Sequence, residues 1–168
     1  MNEIIENQLT IKRPNFLKVL CILTFISSGL GIISTIFQLL FGPKSEAIMR
    51  IEKVALASQI SEMKDLGIDF MADMLVKLGN MSYQLNEHFY LAHLIGLVTA
   101  SLGLYSALKM WQGFKFGFKL YTLYSLLTVI GIYFYVSPSN IPSFVIIFNI
   151  LFSALFIFLY SRNLNWMK

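Results

Sequence analysis

The chain has 168 residues, 57% of them apolar and only 13% charged, with a formal net charge of +4. Soluble globular domains carry about 45–50% apolar and about 25% charged residues, so this composition excludes an ordinary soluble enzyme. The apolar residues gather into four long runs, which also excludes a disordered chain and a disulfide-stapled secreted module.

The first 18 residues form a polar N-terminal tail carrying Lys12, Arg13 and Lys18. An apolar run follows at 19–41. It exceeds the 7–15 residues of a secretory h-region and ends in Gly42-Pro43-Lys44 rather than a small-x-small cleavage pattern. It therefore reads as a retained membrane span, TM1. Its lone cysteine, Cys21, has no partner for an intramolecular disulfide and reads as a small buried hydrophobe. Thr24, Ser28, Gly31, Thr35 and Gln38 recur at helical spacing, with Ser27 four residues before Gly31. Small-x-x-x-small faces of this kind let helix backbones approach closely, so Ser27, Gly31 and Thr35 are expected packing positions.

The connection at 42–88 is the longest polar stretch. Its apolar positions Leu56, Ile60, Met63, Leu66, Phe70, Met74, Leu78, Met81 and Leu85 recur every three or four residues, the signature of amphipathic helix. One straight helix over 44–87 would extend about 65 Å at about 1.5 Å per residue, yet both ends must return to the same membrane surface. The chain must therefore fold back or lie flat. Breaks are expected at Gly42-Pro43, Gly67 and Gly79-Asn80. They give helices near 44–65 and 69–79, then a third segment from about Ser82 that runs straight into the next span. Five of the eight methionines fall here. Methionine adapts to irregular apolar surfaces, so Met63, Phe70, Met71, Met74 and Met81 are expected to pack within a hairpin, rest on the membrane, or dock a partner.

TM2 is read at 89–108, with Ala92, Gly96, Ala100, Gly103 and Ala107 at helical spacing; Gly96, Ala100 and Gly103 are expected packing positions. A connection at 109–119 leads to TM3 at 120–136, where Lys119 reaches back toward the headgroups. A short turn at 137–140 leads to TM4 at 141–160, and 161–168 forms a C-terminal tail. Each span approaches the roughly 20 apolar residues needed to cross a bilayer.

Basic residues set the orientation. The two tails and the 109–119 connection hold eight (Lys12, Arg13, Lys18, Lys109, Lys115, Lys119, Arg162 and Lys168) against Glu3 and Glu6, a net of +6. The 42–88 connection holds five basic and seven acidic residues, a net of −2, and 137–140 is uncharged. Both termini are therefore expected in the cytoplasm, with the long connection outside. The same basic excess explains the high pI without nucleic acid, because the aromatic residues that could stack on bases flank the spans.

Chemistry-bearing patterns are scarce. HExxH, CxxC, P-loop and nucleophile-elbow motifs are absent, and no carboxylate pair lies within the spans. His88 and His93 are five residues apart, roughly 140° around a helix, so they do not share a face as metal ligands would. No cofactor is expected. Gln38, His93 and Asn149 are the polar side chains placed to line a polar path through the spans.

The stretch Arg13-Pro14-Asn15-Phe16-Leu17-Lys18-Val19-Leu20-Cys21-Ile22-Leu23-Thr24-Phe25-Ile26-Ser27-Ser28-Gly29 resembles the start of small, uncharacterised four-span inner-membrane proteins of Bacteroidetes-type bacteria. The resemblance implies a bacterial inner-membrane, multi-pass setting and carries no site residues.

The expected fold is an all-α integral membrane protein: a four-transmembrane-helix antiparallel bundle with an extra-cytoplasmic amphipathic helical hairpin between spans 1 and 2. The expected function is that of a non-enzymatic accessory or scaffold subunit. Its partners would be the lipid bilayer and another membrane protein or a second copy of itself. The alternatives are a small oligomeric channel or carrier and, behind it, an enzyme acting on lipid.

Overall fold

The structure is a computed structural model and describes residues 13–168. The N-terminal residues up to Lys12, including Glu3 and Glu6 of the charge count, lie outside the described residues. What is described is all-helical: six α-helices and two short 3₁₀ turns, with no strand among the described residues.

Helix α1 (Asn15–Phe41) starts at Pro14, whose φ of −56° suits a helix entrance and whose carbonyl accepts from Lys18 N–H at 3.1 Å. The helix begins four residues before the purely apolar run because Leu17, fully buried, belongs to the packed core despite its charged neighbour Lys18. It stops where Gly42 takes φ 75° and Pro43 cannot continue a helix. Helix α2 (Glu46–Asp65) is capped by Ser45, whose hydroxyl accepts from Ile48 N–H at 3.4 Å. Gly67, at φ 73°, ends it: Gly67 N–H donates to Lys64 O and Ile68 N–H to Met63 O, both at 2.9 Å. This paired bonding is the Schellman arrangement.

Helix α3 (Asp69–Glu87) runs unbroken through Gly79-Asn80. The break expected there is absent. Gly79 is instead a point of close approach, since a Cβ on it would collide with Leu56 of α2. The interruption falls at His88, at φ −101° and ψ 33°, which separates α3 from α4 (Phe89–Trp111) where a continuous run into the span was expected. A second Schellman arrangement around Gly113 (φ 89°) turns the chain into α5: Phe114 N–H donates to Lys109 O and Gly113 N–H to Met110 O, both at 3.0 Å. Helix α5 (Lys115–Ile130) tightens into a 3₁₀ turn at Gly131–Phe134, and after a second 3₁₀ turn at Pro138–Asn140 the chain enters α6 (Ser143–Ser161).

Four elements are long and apolar enough to cross a membrane: α1, α4, α5 with its extension to Phe134, and α6. Helix α1 packs on α4, α4 on α5, and α5 on α6, while α1 meets α6 only over a short stretch. The α1–α4 seam joins the two small-residue stripes in antiparallel register. A Cβ on Gly31 would sit 3.5 Å from Ala100 Cβ, one on Gly96 3.8 Å from Thr35 Oγ1, and one on Gly103 2.6 Å from Ser28 Oγ. Of the two neighbouring serines, Ser28 faces the seam and is buried, and Ser27, expected to pack, is exposed on another side of α1.

A buried hydrophobic core lies at the end where α1 begins and α6 ends, built from Leu17, Leu20, Cys21, Met110, Tyr121, Tyr160 and Met167. Residues 161–168, read from the sequence as a C-terminal tail, close this end. Lys168 N–H donates to Gly113 O at 2.7 Å, Lys115 N–H donates to Lys168 O at 2.8 Å, and Met167 is 2% exposed. Burying the Met167 side chain against an apolar core holds the segment down.

Candidate functional site: a polar cleft among the apolar helices

Because α1 and α6 meet only near the core end, a cleft of about 260 Å³ opens between them, with α5 at its back. Helical spacing places its lining. Thr24 and Ser27 come from α1, three residues apart; Tyr121, Ser125 and Thr128 come from α5 at steps of four and three; Asn149 and Ser153 come from α6, four apart. Tyr124 adds a further hydroxyl-bearing ring, and Leu23, Phe152 and Phe156 complete the wall. The eight polar lining residues among the described residues are all hydroxyls or amides, and no described Asp, Glu, Lys, Arg or His lines the space.

The floor is closed. Thr24 Oγ1 and Tyr160 Oη share a buried hydrogen bond of 2.9 Å, and the Tyr160 ring packs at 4.5 Å from that of Tyr121. Thr128 donates to its own helix at Tyr124 O (2.9 Å), and Asn149 Nδ2 donates to Val145 O (3.0 Å). Asn149 Oδ1 and the hydroxyls of Ser27 and Ser153 have no hydrogen-bond partner among the described residues. Leu23 and Phe152, half exposed at 47% and 52%, mark the open flank between α1 and α6.

A second hollow of about 220 Å³ continues along α6 and is lined by Phe144, Val145, Phe148, Asn149 and Phe152. It shares Asn149 and Phe152 with the cleft, and the Phe148 and Phe152 rings stack at 6.3 Å. A polar chamber and an apolar trough thus meet at one asparagine.

The expected polar path of Gln38, His93 and Asn149 is not brought together. Gln38 and His93 meet across the α1–α4 seam, with His93 Nε2 at 3.0 Å from Gln38 Oε1 and Nδ1 at 2.6 Å from Phe89 O. Gln38 Nε2 donates in turn to Ser34 Oγ at 3.0 Å. Neither Gln38 nor His93 lines the cleft that holds Asn149. Among the described residues no group of three His, Cys, Asp or Glu side chains is placed to hold a metal ion.

The methionine row divides. Met63, Met74 and Met81 are half-buried, and Phe70 (79% exposed) and Met71 (39%) are open to the surroundings near the Gly67 turn. On α2 the half-buried residues Met49, Leu56, Ile60 and Met63 occupy one face, while Ala47, Ile51 and Val54 occupy the opposite one, which turns polar at Ser58. Ile51 and Val54 are 69% and 72% exposed. This second, shorter apolar row was legible in the sequence at the same three-and-four spacing but was masked by the longer methionine row.

Three carboxamides tie the hairpin down. Gln84 donates to Ser137 Oγ at 3.1 Å and accepts from Ser137 N–H at 3.0 Å, and Asn80 Nδ2 donates to Asn140 Oδ1 at 3.3 Å. Asn86 Oδ1 accepts from Lys44 N–H at 2.8 Å and its Nδ2 donates to Lys44 O at 3.2 Å. Compared with what is known, the chain stands without a match: no family model, curated protein or solved structure matches it.

Proposed function

We propose that the chain is a non-enzymatic, multi-pass protein of a bacterial inner membrane, acting as an accessory or scaffold subunit that docks another membrane protein through its hairpin. The distribution of basic residues supports cytoplasmic termini and an external hairpin, and the resemblance of residues 13–29 supports the bacterial setting.

One observation carries the docking reading: over its first half, the face of α2 turned away from α3 is apolar and uncovered, with Ile51 and Val54 about 70% exposed. An amphipathic helix needs one apolar face to pack, and this one carries a second. The second face gains nothing within the chain, so its burial awaits an apolar surface on a partner. The carboxamide ties at Ser137, Asn140 and Lys44 hold that face in a fixed relation to the spanning helices, and a fixed face loses less entropy on docking. The channel alternative has less support, because Gln38 and His93 face each other in a helix seam and neither lines the polar cleft.

Native mass spectrometry of the chain, extracted gently from its own membrane, tests this. The expected spectrum contains a second polypeptide, lost in the Ile51→Lys/Val54→Lys double variant while helix content is retained. A lone 19.2 kDa mass, multiples of it alone, or a second polypeptide that survives the double variant would refute the reading.

A further inference from the structure

We infer that the cleft between α1, α5 and α6 is a binding site for an uncharged amphiphile, its hydroxyl- or carbonyl-bearing head in the polar chamber and its tail along Phe144, Phe148 and Phe152. The inference is independent of the hairpin reading.

Four observations lead to it. The first is satisfaction. Ser27, Ser153 and the Asn149 carbonyl lack partners among the described residues, and polar groups facing hydrocarbon are costly unless hydrogen-bonded. Acyl chains offer neither donors nor acceptors, so the occupant must bring its own. The second is access. The Thr24–Tyr160 bond and the buried Leu20, Cys21 and Met110 seal the core end, while Leu23 and Phe152 flank an opening toward the side. The occupant therefore enters from the plane of the membrane.

The third is charge. Among the described residues no ionisable Asp, Glu, Lys, Arg or His lines the chamber, so a phosphate, carboxylate or ammonium there would be an uncompensated charge away from water. The head is neutral. The fourth is size and shape. A chamber of about 260 Å³ exceeds the roughly 150 Å³ of a cavity that holds a benzene ring, so it has room for one substituted six-membered ring or a glycerol ester. Tyr121, Tyr124 and Phe156 supply flat walls, and the trough sharing Asn149 and Phe152 receives an apolar extension.

Two neutral sources share this chemistry, a diacylglycerol and a ring carbonyl with an alkyl tail. The full chain in phosphatidylcholine nanodiscs is titrated with tritiated dioctanoylglycerol and, separately, with tritiated decyl-benzoquinone. Saturable binding of at least one probe is expected, undisturbed by dioctanoyl phosphatidylglycerol and by Ile51→Lys, and weakened at least tenfold by Ser27→Phe and by Ser153→Phe. These variants fill the chamber from opposite walls, so either decides if the other misfolds. Asn149→Leu, nearly isosteric, decides if both do, again with weakened binding expected. The probe that binds more tightly identifies the source. Binding of neither probe, equal binding by the correctly folded wall variants, or displacement by the anionic lipid would overturn the inference.

Discussion

Glycine 117 offers the sharpest test of how the helices pack. A Cβ added there would lie 2.6 Å from Met110 N and 2.8 Å from both Met110 Cγ and Ser106 O. Two of these atoms belong to the α4 backbone, which cannot swing aside as a side chain can. Relaxed non-bonded contacts lie at about 3.5–4.0 Å, so α5 would have to retreat by about 1 Å. The turn at Gly113 resists that retreat, because its two Schellman bonds and the Lys168 pairing fix where α5 begins. Overpacking of this kind costs about 1–3 kcal/mol. Replacing glycine by alanine in a helix returns up to about 1 kcal/mol, less here because Gly117 is in the first turn of α5. Gly117→Ala should therefore destabilise by about 1–2 kcal/mol, lowering Tm by about 3–6 °C for a chain of this length. Gly96→Ala should be close to neutral, since its new methyl would meet only Thr35 Oγ1 at an ordinary 3.8 Å, and Gly29→Ala, with no heavy atom within 4 Å, should hold or raise Tm. Thermal unfolding in one mild detergent, followed by circular dichroism, checks the series. A Gly117→Ala chain as stable as the parent, or a Gly96→Ala chain equally weakened, would refute this account of the packing.

The Thr24–Tyr160 bond joins α1 to α6, so Thr24→Val and Tyr160→Phe should each destabilise, with a double-mutant coupling of about 0.6–2 kcal/mol; strictly additive losses would show that the bond contributes nothing. Gln84→Ala removes the acceptor of Ser137 N–H and the donor to its hydroxyl. Hydrogen exchange at the Ser137 amide should then accelerate about fivefold, matching a hydrogen bond of about 1 kcal/mol, and an unchanged rate would show that the hairpin is not held there.

Much of this fold was legible because hydropathy and helical spacing are local signals. The four apolar runs coincide with α1, α4, α5 and α6, and the stripes of Gly31, Thr35, Gly96 and Ala100 lie in one seam. Contacts between segments distant in sequence were harder to read. Gly79 carries the signature of a helix breaker, but its lack of a side chain serves the passage of Leu56, and only the rotation of α2 against α3 reveals that. Ser27 and Ser28 are equally small and polar, and a turn of about 100° about the α1 axis sends one to the cleft and the other to Gly103. Asn149 was recognisable as an intramembrane amide, but its neighbours in the cleft come from α1 and α5, more than twenty residues away in the chain. The C-terminal segment has no strong periodicity, and its place depends on backbone bonds to the Gly113 turn.

The two exposed surfaces invert the usual match between residue and solvent. Uncharged polar groups face the side of the apolar helices, and apolar groups face outward from the most charged helix, α2. Natural sequences tend to be consistent across levels, and departures gather where a chain does something other than fold. Each departure here calls for a different remedy. On the proposed reading, Ser27, Ser153 and Asn149 need hydrogen-bonding atoms within the bilayer, and Ile51 and Val54 need apolar contact outside it. No single ligand supplies both, and the hairpin ties at Ser137 and Lys44 involve no residue of the cleft. The two surfaces should therefore act as separable binding sites. Substitutions at Ile51 and Val54 should leave amphiphile affinity unchanged, and filling the cleft at Ser27 or Ser153 should leave the docked polypeptide in place. Loss of both functions from one correctly folded substitution would mean that the hairpin and the cleft are coupled through α3 and the 137–140 turn.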